Sequence, residues 1–300
     1  MAAQAGALHF CDAPAALNAT QQDKLFRFGA IIKAELEKSG QNLALVSRSG
    51  LDLARFGQRY SHAGVSLKAS QNAAWSVRQL YYACDEQKPK IYDQGLAGFL
   101  LGADSPSLGY LSVVFLPPNQ AATLEHAALD NRQAMQVLGS TYSANSYPFN
   151  LRYQNCNQWV MELLAASWGG LGQGDKISTG ETPADTTSAT IDNPLRAQAQ
   201  AWLRHQGYQP SVIDVGWPLM WLGSVLPWVH SDDHPPEDLA NTVYRVSMPA
   251  SIEAFVQATV PGATRVEFCH TEHQVVIRRG WDLIPEGCQP GAQDTVIALD

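Results

Sequence analysis

The stretch FNLRYQNCNQWV, residues 149–160, decides how the chain is read. A lone cysteine, Cys156, lies between two asparagines and just ahead of Trp159, Val160, Leu163 and Leu164. That spacing predicts an apolar helix from Asn157 to Trp168, stopped by Gly169 and Gly170. Cys156 then falls at a helix N-terminus, where the macrodipole and free backbone N–H groups favour a thiolate. Three roles are open to it: a buried structural thiol, half of a disulfide, or a nucleophile.

Upstream, QQDKLFRFGAIIKAELEK (21–38) carries Leu25, Phe28, Ile32 and Leu36 at helical spacing. Thr20 is its expected cap and Gly40 its stop. Strands are expected at 42–50, 59–68 and 75–83, then at KIYDQG and at GYLSVVFLP (109–117). A helix follows over about 119–138, and 140–155 reads as a polar loop. Downstream, LGQGDKISTGETPADTTSAT (171–190) has the composition of a linker or mobile loop. Asn193 and Pro194 open another helix that closes at Gly207, and 241–300 reads mainly as strands. The expected division is an N-terminal segment 1–19, a core 20–170, a linker 171–193 and an appended α+β region 194–300 packed on the core. The fold class is α+β. The apolar stretch WPLMWLGSVLPWV (217–229) is too short for a span and carries two prolines. It is expected to pack beside the core, with Trp217 and Trp221 sharing one helix face that walls the site.

Composition narrows the function. Twenty Lys and Arg against 28 Asp and Glu give a net charge of −8, and no basic cluster interrupts it. Nucleic acid is therefore not an expected partner. No run of about twenty apolar residues exists, so no membrane span is expected. The start, MAAQAGALHF, has neither a basic nor an apolar leader region. Its small residues resemble the remnant around a cleavage site, which suggests a secreted or periplasmic protein; an ordinary cytosolic start fits them equally. The five cysteines, Cys11, Cys84, Cys156, Cys269 and Cys288, include no CxxC pair. The preferred pairing is Cys11 with Cys84 and Cys269 with Cys288, which leaves Cys156 over. Five reduced thiols remain the alternative.

A nucleophilic thiol needs a base on a rigid element. Of eight histidines, His62 sits in the strand expected at 59–68 and is followed by the small Ala63 and Gly64. SHAGVSL (61–67) resembles the base-bearing strand of NlpC-type papain-like enzymes. FNLRYQNCNQWV resembles the nucleophile segment of their lecithin retinol acyltransferase-like branch, a circularly permuted fold in which the histidine strand precedes the cysteine helix. His62 precedes Cys156 here by 94 positions. The resemblance covers about 40–168. The whole chain also resembles a family of secreted bacterial proteins, a domain of unknown function. The resemblance implies a permuted papain-like core, an antiparallel sheet packed on helices, with Cys156 as nucleophile and His62 as base. On the next strand the chain departs from the family's pattern, because WSVRQLYY lacks the histidine often found there. Gln79 is preferred, since an amide can accept the imidazole N–H; Arg78 is the alternative.

The implied activity is hydrolysis of, or acyl transfer from, an ester or amide through an acyl-enzyme. Lipid acyl chains and cell-wall peptides are the two substrate classes. A non-catalytic exported binding module of the same fold is the rival. No cofactor or metal is expected. His230, Asp232, Asp233 and His234 read as a solvated loop, Cys269, His270 and His273 as a hairpin, and GLAGFLLG (95–102) lacks the lysine of a phosphate loop.

Overall fold

The computed structural model describes residues 17–102, 105–172, 193–223 and 226–299. The first helix, α1 (Ala19–Lys38), starts at Asn18 rather than Thr20. The Asn18 side chain accepts from Gln21 N–H, and Gln21 reaches back to the Asn18 N–H in a reciprocal capping box. Strands β1 (Leu43–Arg48), β2 (His62–Leu67), β3 (Ser76–Ala83) and β4 (Lys88–Gln94) follow, then the short helix α2 (Leu96–Leu100) and β5 (Gly109–Phe115). The helix expected over 119–138 is two, α3 (Pro118–Leu129) and α4 (Asn131–Gln136). Asp130 divides them because its carboxylate caps the second, accepting from the N–H groups of Arg132 and Gln133. Helices α5 (Cys156–Trp168) and α6 (Pro194–His205) come next, then β6 (Ser211–Asp214), α7 (Gly216–Gly223), α8 (Pro236–Ala240) and β7 (Val243–Val246). The last elements are α9 (Pro249–Thr259), β8 (Thr264–His270), β9 (Gln274–Arg279) and β10 (Thr295–Ala298).

Eight strands form one antiparallel sheet in the order β10-β9-β8-β5-β1-β2-β3-β4, while β6 and β7 pair separately. The fold is α+β. The strands β8, β9 and β10, from the C-terminal region, continue the sheet through β5. Both sheet faces are covered. On one, Leu43, Leu45, Val65, Leu67, Leu80 and Val114 pack with residues of α3, α5, α6 and α9, including Leu124, Trp159, Leu163, Ala199 and Phe255. On the other, Ala44, Val46, Val77, Leu111 and Phe268 pack against Phe28, Ile32 and Leu36 of α1 and Phe99 of α2. Alternation along each strand supplies the two faces.

Cys269 on β8 is disulfide-bonded to Cys288. Cys84 is also disulfide-bonded; its expected partner, Cys11, lies outside the described residues, as do 1–16 of the N-terminal segment and 173–192 of the linker. Two expectations are corrected. Trp217 and Trp221 are 68% and 73% exposed on α7, so the shared face does not wall a buried site. Met220 of that helix carries the packing instead, against the buried cluster of Tyr244, Val246 and Met248. The stretch 249–259, read among strands, is helix α9; Pro249 opens it and Ile252, Phe255 and Val256 are buried. No helix among the described residues is long and apolar enough to cross a membrane.

Candidate active site

The site is built where two strands part. β1 and β2 stay paired through Arg48 opposite His62. β2 and β3 pair only from Val65 opposite Arg78 to Leu67 opposite Ser76, whereas Gln79 to Ala83 continue alongside β4. The edge of β2 at 61–63 therefore lacks a strand partner on that side. Asn157 takes the place of one. Its Oδ1 accepts the Ala63 N–H at 2.9 Å and its Nδ2 donates to the Ser61 carbonyl at 3.2 Å. The residue after the cysteine thus holds the residues on either side of the histidine.

Asn155 caps α5, its Oδ1 accepting from Gln158 N–H at 2.7 Å, and Cys156 is the first helical residue. The Cys156 thiol is buried, among Ala63, Tyr142 and Trp159 in the core of that face. Tyr142 stacks on Tyr82 at 4.8 Å. Burial pushes the thiol up to about 12. The Arg48 cation and the backbone N–H groups of Asn157, Cys156 and Ala63 act in the opposite direction. The backbone N–H groups at the helix start pull toward a thiolate, but desolvation outweighs them, so the thiol lies above its ordinary value and not below it as the helix start alone predicts.

His62 is half-buried. Its ring lies 5.9 Å from that of Phe99, and its Nε2 is bonded to Gln79 Oε1. Gln79 Nε2 donates to Gln94 Oε1 at 2.7 Å, so its oxygen is the atom that faces the imidazole. Nε2 is therefore the protonated nitrogen and Nδ1 carries the lone pair. Burial and the Arg48 cation push His62 down to about 3, opposed by the Gln79 bond. At neutral pH the Cys156 thiol and the His62 imidazole are therefore each uncharged. Arg78 is occupied elsewhere: it holds Asp93 through Nε at 2.6 Å and donates to the Ala128 carbonyl.

Two further groups fix the cysteine loop. Glu162, fully buried on α5, accepts from Gln154 at 2.5 Å, Gln158 at 3.0 Å, Gln200 at 2.7 Å and twice from Arg196, at 2.7 and 3.2 Å. Arg196 and Gln200 of α6 also donate to the carbonyls of Leu151, Tyr153 and Asn150. The loop before Cys156 is thereby bound to both helices. The loop of His230, Asp232, Asp233 and His234, read as solvated, latches onto the same loop together with Trp228. Asp233 accepts from Tyr147 N–H at 2.7 Å, His234 Nε2 donates to the Asn145 carbonyl at 2.8 Å, and Ala144 N–H donates to the Trp228 carbonyl at 2.8 Å. Asp233 and His234 are both buried.

Arg48, Asn157 and the Glu162–Arg196 pair were not singled out from the sequence. Arg48 ends an apolar strand, LALVSR, which is a weak signal of a cation at a sheet end. A cavity of about 250 Å³, lined by Ala122, Thr123, His126, Gln133 and Ser167, touches the far end of α5, roughly 16 Å along the helix from Cys156. Among the described residues no group of three His, Cys, Asp or Glu side chains could hold a metal ion.

A family described as an uncharacterized protein conserved in bacteria (DUF2145) matches residues 35–256, which contain every residue of this site. The chain belongs to that family. No curated protein and no solved structure matches the chain. The match to DUF2145 spans α5 and its partner strands, and ends inside α9, before β8 to β10.

Proposed function

We propose that this DUF2145 protein is a cysteine-dependent hydrolase or acyltransferase with a permuted papain-like core. The observation that carries the reading is the Asn157 amide, which ties the start of the cysteine helix to the backbone on both sides of His62. Gln79 adds a defined tautomer with Nδ1 as the acceptor. In the proposed cycle, His62 Nδ1 takes the Cys156 proton and the sulfur attacks the carbonyl carbon of an ester or amide. The carbonyl electron pair moves onto oxygen, which the Cys156 backbone N–H faces. Collapse expels the alcohol or amine with the proton from His62 and leaves a thioester on Cys156. Water or an acceptor alcohol or amine then resolves it.

Lipid acyl chains and cell-wall peptides are the substrate classes, and export to the periplasm or outside the cell accords with the Cys269–Cys288 disulfide. One observation favours a second reading, an exported binding module that keeps the fold without catalysis: the closed site holds Cys156 as a thiol, at about 12. Turnover separates the two. Long-chain acyl esters and cell-wall tetrapeptides are offered to the wild type, Cys156→Ala and His62→Ala. Cleavage of either class by the wild type alone supports the enzyme. Equal traces of cleavage by all three proteins support the binding module.

A further inference from the structure

His62 is the first residue of β2 and closes the β1–β2 ladder opposite Arg48, at a point where β3 has already diverged. A strand end of this kind is where fraying begins. The chain reaches it through the connection 49–61, and Tyr60 is the only buried residue of that connection. What holds Tyr60 therefore sets how the chain enters β2. Its hydroxyl donates to Glu267 Oε1 and accepts from Arg265 Nη2 at 2.9 Å. Beside it, Arg59 Nη1 donates to Glu267 at 3.0 Å and to the Ile284 carbonyl at 2.6 Å, and its Nη2 donates to Glu286 at 2.7 Å. Ile284 N–H donates back to Glu267 Oε2 at 2.6 Å. One fully buried carboxylate on β8 thus collects both residues that precede the histidine strand. The Cys269–Cys288 disulfide closes this unit. Tyr60, Tyr110, Cys269, Ile284 and Cys288 pack in a small core of their own. The Arg59 guanidinium lies over the Tyr110 ring at 4.4 Å, and Cys288 N–H donates to the Tyr110 hydroxyl at 3.2 Å. Glu267, Ile284 and both cysteines lie beyond the span that matches DUF2145.

Resting on the function proposed above, we propose that Glu267 and the disulfide-closed stretch 269–288 act through Arg59 and Tyr60 as the positioning element of His62. Two clamps then hold the base: this one upstream, on 59 and 60, and the Asn157 amide on 61 and 63. The upstream clamp acts on the backbone that carries the imidazole, and so on whether Nε2 stays bonded to Gln79 Oε1. Freed of it, the end of β2 frays, the Gln79 bond is broken part of the time, and both tautomers of the neutral imidazole become populated. Only one of them presents the Nδ1 lone pair to the thiol proton.

The test is the imidazole nitrogen NMR spectrum of His62 at neutral pH, read beside turnover. The proteins are the wild type, Tyr60→Phe, the double variant Cys269→Ala with Cys288→Ala, and Ile32→Val. The last loses packing on the opposite sheet face and controls for lowered stability alone. The wild type and Ile32→Val should show the single Nε2–H tautomer, and Tyr60→Phe and the double variant a mixture. Where the double variant fails to fold, Tyr60→Phe, one oxygen smaller than the wild type, carries the comparison. On a substrate that the wild type cleaves, kcat should fall about 10- to 100-fold in Tyr60→Phe with KM little changed. A single tautomer or an unchanged kcat in folded Tyr60→Phe, or a mixture in the wild type or in Ile32→Val, overturns the positioning role and leaves the hydrolase standing. Absence of turnover in the wild type overturns the hydrolase, while the spectra still decide whether Tyr60 and the disulfide position His62.

Discussion

Asn157→Ala is the perturbation whose effect follows most directly from the geometry. The wild-type amide is buried and makes two bonds to β2, at 2.9 Å to the Ala63 N–H and 3.2 Å to the Ser61 carbonyl. β3 has diverged at this point, so no ladder acceptor waits for the Ala63 N–H. A buried donor left without a partner costs about 1–3 kcal/mol. The Ser61 carbonyl belongs to a half-buried residue and can rehydrate. The expected loss is therefore about 2–3 kcal/mol, or roughly 3–5 °C in midpoint for a chain of this size. Urea unfolding followed by tryptophan fluorescence measures it. Asn157→Asp keeps the acceptor but sets a carboxylate against the Ser61 carbonyl. Burial raises the folded pKa of such a group, so its folded state binds more protons, and the deficit of this variant should shrink as pH falls from 7 to 5. An Asn157→Ala protein within about 0.5 kcal/mol of the wild type would refute the idea that this amide joins helix to strand.

Arg196→Met leaves Glu162 buried without its cation and should cost about 3–5 kcal/mol, whereas replacing both by apolar residues should recover much of that, again by urea unfolding. Reducing Cys269–Cys288, which closes a loop of 19 residues, should lower stability by about 3 kcal/mol in the chain-entropy model; reduction without effect contradicts a structural role. His62 and His270 are both held neutral, at about 3 and about 4. The unfolded chain therefore binds more protons than the folded one between roughly pH 6.5 and those values. Stability should fall as pH drops through that window, and His62→Gln should flatten the slope.

The elements of the candidate site were legible because each has a strong local signal. The apolar stripe of α5 and the two asparagines around Cys156 mark a helix start, and alternation in SHAGVSL marks β2. The pair Cys269–Cys288 follows from a hairpin and its exit. What was missed acts across the chain. Asn157 is an ordinary polar residue of a first helical turn until the divergence of β2 and β3 leaves a backbone edge for it to meet. Glu162 and Arg196 lie 34 positions apart, and single charged residues on helices read as solvent-facing. Asp233 and His234 look solvated beside Pro235 and Pro236, yet both are buried and each is bonded through one atom to the backbone of the cysteine loop. The break at Asp130 and the helix α9 were within reach of capping and periodicity, from Asp130-Asn131 and from Ile252, Phe255 and Val256. Exposure of Trp217 and Trp221 runs against burial preference, so no local rule predicts it.

The central claim is that Cys156 forms a covalent acyl intermediate with His62 as its base, and mass mapping of a quenched reaction tests it most directly. The wild type is mixed with a long-chain acyl ester or a cell-wall peptide, stopped in acid within the first turnover, digested and mapped. The account predicts an added acyl mass on the peptide that carries Cys156, absent from Cys156→Ala and strongly reduced in His62→Ala. Product formed by the wild type with no thioester at Cys156, or an acyl group carried by another residue, would contradict it.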